Sequence, residues 1–137
     1  MSILFINGSP NHHGNTASLA AALLKGKEYE TLNLTDYTIG AYGQQLPGDG
    51  LDAVVAAMEK ANTIVIGSPL YWHNICGSVR NVLDRFYGRV QNGGLSGRRL
   101  YRVSGRCAGK VDAGGGRIHH EALRRAVRHE LWWYGDQ

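Results

Sequence analysis

Two short runs of this chain are apolar nearly throughout, SILFI at residues 2–6 and TIVI at residues 63–66. A strand with one wet face alternates apolar and polar side chains, whereas a strand apolar on both faces lies between two covering layers. Each run leads through a glycine-containing loop into a helix-forming stretch. The first is residues 16–25, and the second is residues 75–87, where Ile75, Val79, Val82, Leu83 and Phe86 recur at helical spacing. Strand, loop and helix in alternation mean a parallel sheet with right-handed crossovers. A second strand is read at residues 29–34, a second helix at 51–61 and a fourth strand at 100–103. Residues 35–50, rich in Gly, Tyr, Gln and Pro, read as a long surface connection, a length shared by functional and disordered loops.

Between the first strand and its helix lies INGSPNHHGNT, residues 6–16. A buried strand that breaks at Gly8 and re-enters a helix at Asn15 and Thr16 aims several backbone N–H groups at one spot. Those donors have no intrahelical partner, and aligned peptide dipoles leave partial positive charge there, so the loop is a phosphate site made from backbone. Ser9, Asn15 and Thr16 add short side-chain donors, and Gly8 and Gly14 permit close approach. No Gly-Lys-Ser/Thr follows the glycines, so this is not a Walker A loop, nor is it the dinucleotide fingerprint. Taken alone, it is equally an ordinary loop with a Thr or Asn N-cap.

The third strand is followed by GSPLYWHNIC. Gly67, Ser68 and Pro69 are expected to end the strand, leaving Leu70, Tyr71, Trp72 and His73 as an exposed aromatic loop. In a doubly wound sheet of order 2-1-3-4-5 ligands bind beyond the carboxyl ends of the first and third strands, which are neighbours. A phosphate cradle beside an aromatic ledge suits a ligand with a phosphate tail and a flat ring system.

GSPNHHGNT followed by GSPLYWHNICGSVRNVLDRFYGR resembles the flavodoxin-like NAD(P)H-dependent FMN reductases and quinone reductases. The likeness covers residues 1 to about 101. It implies an α/β three-layer sandwich with a parallel sheet and bound FMN, the phosphate held by Ser9, Asn11, Asn15, Thr16 and loop amides. Pro69, Leu70, Tyr71, Trp72 and His73 would border the isoalloxazine. NADH or NADPH would be the donor, a quinone, flavin or similar small molecule the acceptor, and the assembly a homodimer. The chemistry belongs to the cofactor, so no side chain need act as nucleophile or general base. Asn11 departs from the family, which carries Arg there. Loss of that charge-assisted bond costs roughly 1–3 kcal/mol of affinity unless something replaces it, and His12 or His13 are the candidates.

Charge divides the chain. Residues 1–97 hold six Lys or Arg against seven Asp or Glu, and residues 98–137 hold nine against four. The whole is expected to be one domain, with a family-like part at 1–101 and an atypical basic tail at 102–137, whose C-terminal strand and helix are missing or altered. Back-translated and read one base later, residues 104–134 approach the family's usual ending, which points to a shift of reading frame near residues 101–104. Codons incompatible with that second frame would sink the idea. Such a chain would be an inactive copy. Ile118, Ala122, Ala126, Val127, Leu131 and Tyr134 nevertheless share one helical face.

Other readings rank lower. A basic arm can bind nucleic acid, but this one follows a near-neutral oxidoreductase-like body. Flavodoxin-type electron carriers tend to be acidic and monomeric, whereas this body is nearly neutral with a Tyr-Trp-His loop, so the reductase is preferred. The histidine pairs His12-His13 and His119-His120, with His129, have no carboxylate or thiolate at ligand spacing, so no metal site is expected. Cys76 reads as a small packed side chain. Two cysteines without a C-x-x-C pair, no apolar run of membrane-spanning length and no leader pattern lead to the expectation of a cytoplasmic protein with no membrane association.

Overall fold

Alternation within each central strand decides how the layers form. In β1 (Ile3–Asn7) Leu4 and Ile6 face one side of the sheet and Phe5 the other. In β3 (Thr63–Tyr71) Ile64 and Ile66 face the first side and Val65 the second. The computed structural model describes residues 1–87, 95 and 97–105. Within them the parallel strands run in the order β2 (Glu30–Asn33), β1, β3, β5 (Arg99–Gly105). The sequence places these strands correctly, and β5 is the fourth strand it expects. The C-terminal strand and helix, the 102–137 tail beyond residue 105 and the helical face from Ile118 to Tyr134 lie outside the described residues.

Helix α1 (Asn15–Leu23) lies on the side of Phe5, where Ala20 and Leu24 join Val65 and Val103. Helices α2 (Leu51–Lys60) and α3 (Gly77–Arg85) lie on the other. There Val54, Val55, Met58, Val79 and Val82 close over Leu4, Ile6, Ile64 and Ile66. Apolar burial at roughly 25 cal/mol per Å² on both faces is what holds the sheet between its helices. Leu83 and Phe86 pack against this core, as the helical spacing predicts.

Two boundaries differ from the sequence reading, for one reason. The strand does not end at Gly67 but runs on to Tyr71, and Ile75 is not helical. Leu70 and Tyr71 pair with Ile75 and Asn74 of β4 (Asn74–Ile75), making a short antiparallel hairpin beyond the parallel sheet. Pairing with β5 also continues past Gly67, through Ser68↔Ser104 and Pro69↔Gly105, so the ladder carries the GSP segment as strand.

The long connection 37–50 is tied down. Gly50 N donates to Thr38 O (2.8 Å), and Asn81 Nδ2 on α3 donates to Ile39 O (3.2 Å). Asp49 accepts from the amides of Leu51 (3.0 Å) and Gly40 (3.2 Å) and from Arg85, so Arg85 clamps the loop to α3 rather than pairing with Asp84. The Leu51 amide and Arg85 hold the Asp49 carboxyl below its ordinary value of 3.8, with Gly40 adding to the effect and burial opposing it. A depressed carboxyl stabilises the fold above its unfolded pKa, and that contribution is lost as pH falls through the folded one. Asp49→Asn is therefore expected to lower the unfolding midpoint at neutral pH. The gap from wild type should close progressively below pH 3.8. Denaturation curves across that range check it, and a gap independent of pH would contradict it.

Candidate functional site

The first loop leaves the end of β1 beside the middle of β3. Gly8 N donates to Gly67 O at 2.8 Å, which brings the first GSP segment alongside the second. Asn7, fully buried at the end of β1, donates from Nδ2 to Asn33 Oδ1 (3.2 Å) and accepts the Ser9 amide at Oδ1 (3.1 Å). It fixes the exit of three chain segments at once. From there the loop closes on itself. Asn11 N donates to Ser9 Oγ (3.1 Å), His13 N to Asn11 Oδ1 (3.1 Å) and Gly14 N to Asn11 O (3.2 Å).

The loop delivers the chain to α1 with Gly14 at the N-cap position and no side-chain cap. Neither Asn15 nor Thr16 caps the helix, contrary to the ordinary-loop reading. Among the described residues the first-turn amides of Thr16 and Ala17 have no hydrogen-bond partner. The Thr16 side chain is only 4% exposed and its hydroxyl bonds to no described residue. Residues 8–18 contain no Asp or Glu. An uncapped helix start with neutral donors and no carboxylate is chemically matched to a phosphate.

Asn11 spends its side-chain oxygen inside the loop, so it shapes the cradle. His12 turns away from the loop, its Nε2 lying 2.9 Å from Thr35 Oγ1 and 3.5 Å from Asp36 Oδ1. Of the two histidines considered as replacements for the family's Arg, His12 is therefore committed to the end of β2.

On the other side Pro69 and Leu70 are half-buried, and Tyr71, Trp72 and His73 are exposed. Trp72 is 97% exposed and, with His73, forms the turn between β3 and β4 at φ of 47° and 64°. Two successive left-handed residues are the signature of the hairpin turn that Asn-Gly prefers, and bulky side chains hold that conformation at a cost of about 1–3 kcal/mol each. Trp72→Asn with His73→Gly is expected to raise the unfolding free energy by about 1 kcal/mol while removing two side chains of the ledge. Chemical denaturation checks the gain, and an unchanged or lower midpoint would remove the strain argument.

The site residues thus fall into two groups that the structure brings to one end of the sheet: Ser9, Asn11, Asn15 and Thr16 at the first loop, Pro69 to His73 at the second. Sequence reasoning missed what lies between them. Ser78 Oγ donates to Gly8 O (2.8 Å), Cys76 Sγ lies 3.3 Å from the same oxygen, and Cys76 N donates to Ser68 Oγ (2.9 Å). Cys76 is buried, as expected of a packed thiol. The usable signal was the repeated Gly-Ser-Pro, after β1 and within β3. Among the described residues no group of His, Cys, Asp and Glu is placed to hold a metal, and no helix is long and apolar enough to cross a membrane.

A parallel sheet of this order, with helices on both faces and loops of this kind at its carboxyl end, defines a flavodoxin-like α/β protein. The sequence profile of the NADPH-dependent FMN reductase family matches residues 1–135, and the chain belongs to that family. The match continues past Tyr101, further than the motifs alone carry the likeness. An iron-sulfur flavoprotein of Archaeoglobus fulgidus is 36% identical over 98 residues, covering 62% of this chain and 48% of that protein. One from Methanocaldococcus jannaschii is 29% identical over 99 residues, covering 62% and 51%. The chain thus spans about half the length of the curated relatives it matches. Among solved structures, a putative quinone reductase from Klebsiella pneumoniae shares the fold at a TM-score of 0.57 and 17% identity, over 77% of this chain and 59% of that one.

Proposed function

We propose that this chain binds FMN and serves as an NAD(P)H-dependent oxidoreductase. The observation that carries the reading is the uncapped first turn of α1, with Thr16 buried beside it, joined through the Gly8–Gly67 bond to the ledge at Pro69 to His73. The FMN phosphate fits the amides of Thr16 and Ala17 and the side chains of Ser9, Asn15 and Thr16. Pro69, Leu70, Tyr71 and Trp72 offer apolar surface to the flat ring. Held there, FMN would supply hydride-transfer chemistry between NADH or NADPH and a quinone, flavin or similar small acceptor. The protein's part is to bind, orient and shield the ring. Family membership supports this reading, as does the flavin binding named for the curated relatives. A homodimer is part of the same proposal.

The relatives' other group does not transfer. An iron–sulfur cluster takes about four cysteine thiolates, and this sequence has two cysteines, of which Cys76 is buried in the contact with Gly8. These residues do not fit such a cluster.

The test is the visible absorption of the purified chain after FMN is added and excess removed by desalting. Retained flavin bands are expected, with flavin fluorescence quenched by Tyr71 and Trp72. A colourless protein would overturn the proposal. Where flavin is retained, oxidation of NADH or NADPH in the presence of a quinone separates a reductase from an electron carrier.

A further inference from the structure

The peptide between Gly8 and Ser9 is the first of the loop, and it is held at both ends. Its N–H belongs to Asn7 Oδ1 (3.1 Å), and its carbonyl points into the start of α3, where Ser78 Oγ donates at 2.8 Å and Cys76 Sγ lies at 3.3 Å. Ser68 completes the arrangement, since its Oγ accepts the Cys76 amide at 2.9 Å and lies 3.3 Å from Cys76 Sγ. Gly8 also packs so closely on α3 that an added Cβ would stand 2.3 Å from Val79 Cγ2.

We propose that Ser78 is a positioning residue for the phosphate-binding loop, pinning the Gly8 carbonyl toward α3 and away from the cradle. The proposal rests on the FMN reading above. A carbonyl oxygen turned into an anion site repels the phosphate, and because the peptide is planar its rotation turns the Ser9 amide away from Asn7 Oδ1 at the same time. Ser78 lies in the first turn of α3, on the element that follows the aromatic ledge. One hydroxyl therefore couples the two halves of the site: it fixes the phosphate loop from the helix that the ledge leads into. Cys76 adds a second, weaker contact to the same oxygen.

The experiment compares FMN with riboflavin, which has the same ring and no phosphate, in binding titrations of the full chain. Ser78→Ala is expected to weaken FMN binding about five- to tenfold and to leave riboflavin binding unchanged, because one hydrogen bond to a buried carbonyl is lost. Ser78→Thr, which keeps the hydroxyl, restores FMN affinity. A general loss of structure would weaken both ligands together, so equal loss, or none, overturns the proposal while the FMN reading stands. A wild-type chain that binds neither ligand overturns the FMN reading itself. The pin is then judged in the ligand-free protein by the amide resonances of residues 8, 9 and 11–14. They shift in Ser78→Ala and return in Ser78→Thr if the hydroxyl sets the loop, and unchanged resonances overturn it.

Discussion

Gly8→Ala is expected to destabilise the fold by about 1–3 kcal/mol and to abolish retention of FMN. A methyl at this position meets Val79 Cγ2 at 2.3 Å, Gly67 O at 3.0 Å and Cys76 Sγ at 3.2 Å. None of these neighbours can yield cheaply. Val79 is buried among the residues of α2 and the sheet, Gly67 O is backbone, and Cys76 is held by Ser68. The loop must therefore move, and moving it breaks the 2.8 Å bond from Gly8 N to Gly67 O that joins the two halves of the site. Denaturant unfolding and FMN titration on the same preparation check both parts. Gly77→Ala is the control, because its methyl would meet nothing within 4 Å. A Gly8→Ala variant with wild-type stability and flavin content would show that α3 does not hold the loop.

That dependence on α3 marks the border between what the sequence makes legible and what it hides. The parallel pairing and the two covering layers follow from local pattern, because residues 2–6 and 63–66 are apolar on both faces and a glycine loop precedes each helix. The hairpin at Trp72 and His73 was hidden for a physical reason. Its turn takes two left-handed residues, and the Asn-Gly pair that announces such a turn is absent. The contacts of Ser78, Cys76 and Asn7 were hidden because they join segments distant in sequence through single polar atoms. Small polar residues carry no periodicity from which such partners are read. Arg85 shows the same effect, since nothing local marks Asp49, 36 residues away, as its partner.

Phe5 and Gly67 offer the sharpest separation of stability from site geometry. Phe5, 2% exposed, packs edge-on to Tyr29 at 6.4 Å between ring centroids and fills the space between the sheet and α1. Phe5→Ala is expected to cost about 3–5 kcal/mol, because the cavity it leaves is bounded by strands that cannot collapse. Gly67→Ala fails in the opposite sense. Its methyl would stand 2.7 Å from Phe5 Cε2 and 2.7 Å from Thr16 Cγ2, an overpacking worth about 1–3 kcal/mol. Combined, the two changes share one space, so the double variant should be less destabilised than the sum of the singles by about 1 kcal/mol or more. Flavin binding should not follow stability back. On the proposed reading, in which the Thr16 hydroxyl and amide hold the phosphate, the methyl still presses on Thr16, so FMN affinity stays low in the double variant even as its unfolding midpoint recovers relative to additivity. Unfolding curves and FMN titrations of all four proteins read the two quantities independently. Strict additivity in stability would mean that Phe5 and Gly67 do not compete for the same volume. Full recovery of FMN binding would mean that Thr16 reaches the phosphate site through the core rather than by direct contact.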